Sequence, residues 1–186
     1  MFMTRRTAMA SGLLCLAATT LTTKASPMTD TTDAPAGVHD FDFLMGRWKV
    51  WNRRLRERWV GSTDWYEFPG TCDTRLMLGG VANVDELVLP TLGFSGMTVR
   101  TLDVEKGLWS IYWINSKIGV VTEPVVGKFV NGIGTFIAPD KDGKRDILCR
   151  FVWTIGDQDR PHWEQAFSDD GGATWETNWV NDFERI

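Results

Sequence analysis

The chain has 186 residues, 43% of them hydrophobic, with 24 acidic and 20 basic side chains and a formal charge of −4 at pH 7. An acidic chain with no basic run argues against nucleic acid and anionic membrane surfaces as partners. Two histidines and three cysteines, with no H-x-H, H-E-x-x-H or C-x-x-C spacing, argue against a structural zinc site, and no P-loop, dinucleotide fingerprint or G-x-S-x-G is present.

Residues 1–25 contain no acid, a pair of arginines at Arg5-Arg6, an apolar run from Ala8 to Ala18 and a small-residue exit at Thr23-Lys24-Ala25. This is the pattern of an export signal of the twin-arginine type, and it places the expected location in the periplasm or outside the cell. Ala8-Met9 departs from the Phe-Leu pair usual after the arginines, whereas Lys24 just before the exit fits that route better than the general secretory one. The run is too short to span a bilayer, which takes roughly 20 residues. Leu14 is too bulky to precede a lipidated Cys15. Residues 26–37 (SPMTDTTDAPAG) carry no apolar period and read as a flexible tether. The expected folded body is a single domain over 38–186. Removing 1–25, which holds three basic residues and no acid, takes the formal charge from −4 to −7.

The body reads as strands nearly throughout: 47–59, 63–78 with a bend at Pro69-Gly70, 81–89, 94–103, 108–115, 124–130, 133–138, 145–155, 161–168 and 174–184. Short turn signals separate many of them, among them Asn131-Gly132, the Asp140–Gly143 stretch and Gly156-Asp157. Strands joined mostly by tight hairpins form an antiparallel meander, and a meander of eight to ten strands hides its edges by closing. The expected fold is therefore all-β, an antiparallel up-and-down barrel behind a short N-terminal helical turn. A barrel of that size has room for one small ligand.

Two separated segments sharpen this. Phe41 to Arg54 (FDFLMGRWKVWNRR) runs an apolar stretch into Gly46-x-Trp48, and Glu184-Arg185-Ile186 ends the chain with an arginine. The pair resembles the signature of lipocalin/calycin barrels, in which the tryptophan of Gly-x-Trp crosses the barrel floor and an arginine of the last strand stacks on it. The physical need is an end plug, and an indole with a guanidinium on its face supplies apolar area and a cation–π contact. Together with the N-V-D-E segment, LWSIYWINS and HWEQAFSDDGGATWETNW, the first segment resembles a bacterial domain-of-unknown-function family with a lipocalin-like barrel. The likeness covers about 38–185 and implies the fold; it carries over no catalytic residue.

Candidate site residues come from alternation along strands. If Trp48 faces inward, so do Val50, Asn52 and Arg54, while Lys49, Trp51, Arg53 and Leu55 face out. A bare inward guanidinium is costly, so Arg54 either forms an internal salt bridge with Asp85 or Glu86 or meets a carboxylate, phenolate or carbonyl of a ligand. Alternation turns one of Asp85 and Glu86 inward. Tyr112, Trp113, Trp163, Glu164, Asn178 and Trp179 add hydroxyl, indole, acid and amide groups, and polar groups converging in an aromatic-lined cup suit a small-molecule pocket. The expected function is binding of a small apolar or aromatic molecule bearing an oxygen anion or carbonyl, with no cofactor. The alternative is a cofactor-free lyase, isomerase or hydratase that uses Arg54, one of Asp85, Glu86 and Glu164, and Tyr112 for proton transfer beside an oxyanion. The protonation and pairing of the inward acid discriminate between the two.

Ser168-Asp-Asp170-Gly-Gly172-Ala-Thr174-Trp175 resembles the Asp-box of sialidases and other β-propellers. A single copy in a domain this short is a hairpin device, in which Asp170 accepts backbone N–H groups and Trp175 covers the turn. Cys72 and Cys149 either bond to each other, as export permits, or are buried core thiols. The layout also resembles the nitrobindin barrels, which use a single late histidine, and this raises haem on His162 as a second alternative.

Overall fold

Alternation of apolar residues builds ten strands, and each is joined to the next in sequence. The computed structural model describes residues 34–186, so the expected signal over 1–25 and most of the expected tether lie outside the described residues. The strands are β1 (Gly46–Leu55), β2 (Trp65–Met77), β3 (Ala82–Leu89), β4 (Phe94–Asp103), β5 (Leu108–Asn115), β6 (Val125–Val130), β7 (Ile133–Asp142), β8 (Arg145–Thr154), β9 (His162–Ser168) and β10 (Glu176–Arg185). A 3-10 turn at Asp42–Leu44 precedes β1. Every pairing is antiparallel, and β1 is flanked by both β2 and β10, so the sheet is a closed ten-stranded up-and-down barrel. Closure removes the edge strands.

The predicted bounds of β4 and β5 coincide with the observed ones. The first strand stops at Leu55 rather than 59, because the chain turns at Trp59, where φ is +71°. Two hydrogen bonds from the Trp59 N–H to the Glu176 carboxylate and one from its indole N–H to Asp142 hold that turn against the barrel. Leu55, expected outward, is buried beneath it. The seventh strand runs on to Asp142, since Asp142 pairs with Arg145 across a two-residue Gly143-Lys144 turn. The tenth begins two residues late because Thr174 and Trp175 belong to the Asp-box turn. There Asp170 accepts from the Thr174 N–H at 3.0 Å and its hydroxyl at 2.6 Å, and the Ser168 hydroxyl donates to Asp170 at 2.7 Å. These bonds, the Thr174 hydroxyl first, hold the Asp170 carboxyl well below the usual range.

One end of the barrel is sealed. In the β1–β10 register Trp48 stands opposite Arg185. Trp48 is fully buried, and its indole N–H donates to the Leu44 carbonyl at 2.8 Å. The Arg185 guanidinium lies 4.1 Å from the Trp48 ring centroid and donates to the carbonyls of Met45 (2.8 Å) and Phe43 (2.9 Å) and to Asp159 (2.6 Å). Gly46 takes φ +108°, which favours glycine, and a Cβ there would press on Arg185 Nη1 at 3.3 Å. Above this plug Phe41 packs edge-on against Trp109 and Phe129, each at 5.0 Å. The Trp109 N–H donates to the Gly37 carbonyl at 3.2 Å, which ties the segment before the 3-10 turn to the floor.

Cys72 and Cys149 are free and buried, on β2 and β8, which β1, β10 and β9 separate around the barrel. Trp48→Ala should lower the unfolding free energy by about 3–5 kcal/mol in a denaturant titration, as large-to-small changes at fully buried aromatics do. A loss under about 1 kcal/mol would mean that the floor does not depend on the indole.

Candidate functional site

Above the aromatic floor the barrel keeps a cavity of ≈ 130 Å³. Its buried end is built by two neighbouring strands. On β3, Asn83, Asp85 and Leu87 are buried while Val84 and Glu86 are not; on β4, Gly96, Thr98 and Arg100 alternate in the same way. The register sets Asn83 opposite Arg100 and Asp85 opposite Thr98. Arg100 therefore reaches both acceptors, Asp85 at 2.6 Å through Nη2 and the Asn83 amide oxygen at 2.9 Å through Nη1. Its guanidinium also lies 5.1 Å from the Phe41 ring and 5.7 Å from Trp153. Both side chains of the ion pair are only 4% exposed. Such a pair adds little net stability, because desolvation offsets the attraction, but either partner left alone is strongly destabilising.

Arg100 Nε and Asn83 Nδ2 at this end, and Asn181 Oδ1 on β10, are buried and have no hydrogen-bond partner. Arg100 and Asn181 both line the cavity, and each carries one of these unpartnered atoms.

The walls are aromatic. Trp113, Trp153, Trp163 and Trp179 line the cavity. Trp179 meets Trp113 at 6.2 Å and Trp163 at 5.6 Å, both nearly perpendicular. Its indole N–H donates to Asn52 Oδ1 at 3.2 Å, which fixes the ring. Trp113 lies across Gly96, where a Cβ would overlap the ring. At the other end, Thr122 and Glu123 from the β5–β6 loop and Asp140 from β7 line the cavity and are exposed, forming its rim.

Of the candidate catalytic and ligand-binding residues, Asp85, Trp113, Trp163 and Trp179 are brought together around the cavity, and the others are not among its lining residues. Arg54 has no ion pair among the described residues; its guanidinium stacks 4.5 Å from the Trp179 ring. Burial lowers the Arg54 pKa from its ordinary value, opposed by Tyr66 and reinforced by Arg58. Asn52 is a brace for Trp179, and it is fully buried. Asn178 accepts a hydrogen bond from Gln165 at 2.7 Å. Glu86 is exposed. Tyr112 and Glu164 fall between the inward residues of their strands, beside Trp113 and Trp163. The acid that turns inward is thus Asp85, and its partner is Arg100 rather than Arg54.

Sequence reasoning missed Arg100, Asn181, Glu123 and Asp140. The signal for Arg100 was present: counting back from the Pro90–Gly93 connection sets Asn83 against Arg100 in the β3–β4 hairpin. Cys72 and Cys149 also line the cavity. Burial, with the Asp140 charge adding, pushes the Cys149 thiol up to about 12, and burial followed by the Asp85 charge raises Cys72 further. Neither is a thiolate nucleophile at neutral pH.

Haem on His162 does not fit. Trp163, its neighbour, points inward, while His162 bonds through Nδ1 to Asp182 at 2.7 Å and through Nε2 to Glu164 at 3.0 Å on the outer face of β9 and β10. Both ring nitrogens are engaged there, and a cavity of ≈ 130 Å³ is far below the several hundred Å³ typical of larger ligands. Burial disfavours the charged imidazole, but hydrogen bonds and charge from Glu164 and Asp182 outweigh it, so the His162 pKa is raised.

No family model matches the chain, and no curated protein does. Among solved structures it is similar to the crystal structure of Rv2717c from M. tuberculosis, with 12% identity and a TM-score of 0.55 over 82% of this chain and 98% of that one. At that identity the likeness shows a shared barrel fold.

Asp85→Asn should destabilise the protein by about 3–5 kcal/mol, because it strands the Arg100 charge, and Asp85→Leu combined with Arg100→Met should restore most of that loss in chemical denaturation. Equal stability of Asp85→Asn and wild type would contradict a buried pair. On the outer face, the raised pKa of His162 makes its stabilising contribution complete below the unfolded value of about 6.5 and lost as pH rises through the folded pKa. The melting-temperature gap between wild type and His162→Gln should therefore shrink as pH rises above about 6.5; a gap that does not change would show that His162 is not charged in the fold.

Proposed function

We propose that the protein is a binding barrel for a small, single-ring molecule that carries a neutral oxygen group, and that it works outside the cytoplasm. The observation that carries this reading is the aromatic-walled cavity lined by Arg100 and Asn181, each of which has one buried polar atom without a partner. A buried polar atom without a partner costs about 1–3 kcal/mol, and a ligand hydroxyl can accept from an arginine or donate to an asparagine oxygen. Size narrows the choice further, since cavities near 150 Å³ hold about one benzene ring. The oxygen anion expected from Arg54 gives way to a neutral oxygen, because Arg54 lies off the cavity lining and Asp85 already matches the Arg100 charge. The location rests on the twin-arginine pattern of 1–25, and membership of the domain-of-unknown-function family rests on the four sequence segments that resemble it.

The enzyme alternative finds less support. Asp85, the buried acid of the cavity, is paired with Arg100, and both thiols are held protonated, so the buried end offers no poised base or nucleophile.

The test uses calorimetric titration of the purified full chain with p-cresol and with toluene, which share a ring and differ in the hydroxyl. p-Cresol should bind about three- to tenfold more tightly, the size of one net hydrogen bond, and Asn181→Leu should reduce that advantage. Equal affinities for the two probes, or binding of neither, would remove the proposal.

A further inference from the structure

The rim of the cavity has a charge sign, and it is negative. Three acids and one arginine line the cavity, and Asp85 and Arg100 cancel at the buried end. What remains is Glu123 and Asp140, both exposed, both at the open end, and neither in an ion pair among the described residues. Of the basic groups near this end, Arg54 stacks on Trp179 and lies off the cavity lining, and three others are held in ion pairs. Arg58 pairs with Asp142 at 2.6 Å, Lys141 with Asp146 at 2.6 Å, and Arg145 with Asp169. Lys117, on the same loop as Glu123, donates to the Leu92 carbonyl at 3.0 Å and lies over the Phe94 ring.

The rim is also close to the aromatic walls. Trp113 stands on the strand that runs directly into the Glu123 loop. Asp140 stands four residues beyond the buried Phe136 on β7 and itself lines the cavity. Carboxylates beside aromatic rings attract an organic cation twice, through direct charge and through the ring quadrupole. They repel a ligand carboxylate at the same place.

Resting on the binding-barrel reading, we propose that the ligand is a small arylalkylamine, with its ring among the tryptophans, its neutral oxygen group at Arg100 and Asn181, and its ammonium at the Glu123–Asp140 rim. Both parts of the ligand have a counterpart: Arg100 and Asn181, each with an unpartnered polar atom, in the wall, and unpaired carboxylates at the open end. The short alkyl spacer is needed because the ring fills a cavity of ≈ 130 Å³ and the charge must emerge from it.

Three probes with one ring and one phenol hydroxyl separate the terms: tyramine, p-cresol and 4-hydroxyphenylacetate. Calorimetric titration of the full chain near neutral pH should rank tyramine first, by about five- to tenfold over p-cresol, with 4-hydroxyphenylacetate weakest. In the Glu123→Gln/Asp140→Asn double variant the tyramine to p-cresol ratio should fall to about one, and added salt should reduce the ratio in the wild type. Circular dichroism checks that the variant is folded. Tyramine no better than p-cresol, a ratio unchanged in the double variant, or 4-hydroxyphenylacetate binding as well as tyramine would each overturn the amine assignment. If p-cresol still binds better than toluene in that case, the binding-barrel reading survives; if no probe binds, both fall.

Discussion

The structure depends on the junction between its first and last strands. A ten-stranded meander has two free edges until β1 meets β10, and it is Trp48 and Arg185, opposite each other in that pairing, that fasten it. The guanidinium does several things at once. It caps the indole, it takes up the carbonyls of Phe43 and Met45 that the 3-10 turn leaves free, and it reaches Asp159 in the segment between β8 and β9. Barrel closure, end-plugging and the placement of the N-terminal segment thus rest on one planar cation, and lysine could not replace it, since a point charge cannot stack and fork together.

Closure creates a second problem, which the aromatics solve. Ten strands enclose more space than eight, and an empty interior would forfeit the dispersion contacts that a packed core gains. Phe41, Phe129, Phe136, Trp109 and Trp153 fill the sealed half with mostly edge-to-face contacts. The cavity is what remains when this filling stops below the open end. Its smallness is a consequence of the floor, and that is why the ligand class is narrow. The Arg100–Asp85 pair lies at the boundary, between the Phe41 ring and the cavity, and gives an otherwise apolar interior a fixed polar end.

Much of this was legible from residues. Alternation and turn chemistry located all ten strands, because each strand has one apolar face and each hairpin carries its own turn residues. Gly46, Trp48 and Arg185 were readable as a unit for the same reason: the need for an end plug is local to the strand termini. The polar site was not, because alternation gives the face of a residue and not its height along the barrel. Arg54 does share the face of Trp48, but it stands six pairs beyond it toward the open end, where it stacks on the Trp179 ring. Arg100 occupies the height at which Asp85 points inward. Telling the two arginines apart requires the hairpin register, and Glu123, in a loop with no period, carried no sequence signal at all.

The two sides of the rim differ in how they are held, and this asymmetry bears on selection. On one side the β1–β2 loop is fastened down: Arg58 and the Trp59 indole both bind Asp142, the Trp59 backbone binds Glu176, and the Trp59 ring stacks on Phe167 at 6.3 Å. Both arginines of that loop are spent on acids of the chain, Arg56 on Asp64 and Arg58 on Asp142. On the other side the β5–β6 loop exposes Ile118, Val120 and Val121 and brings Glu123 to the cavity without a partner. A molecule approaching the cavity therefore meets a neutralised wall on one flank and an unneutralised carboxylate on the other. Because the buried end is already charge-balanced, that carboxylate and Asp140 set the sign of the field along the entry path, and selection by charge happens at the rim, while selection by shape happens among the tryptophans.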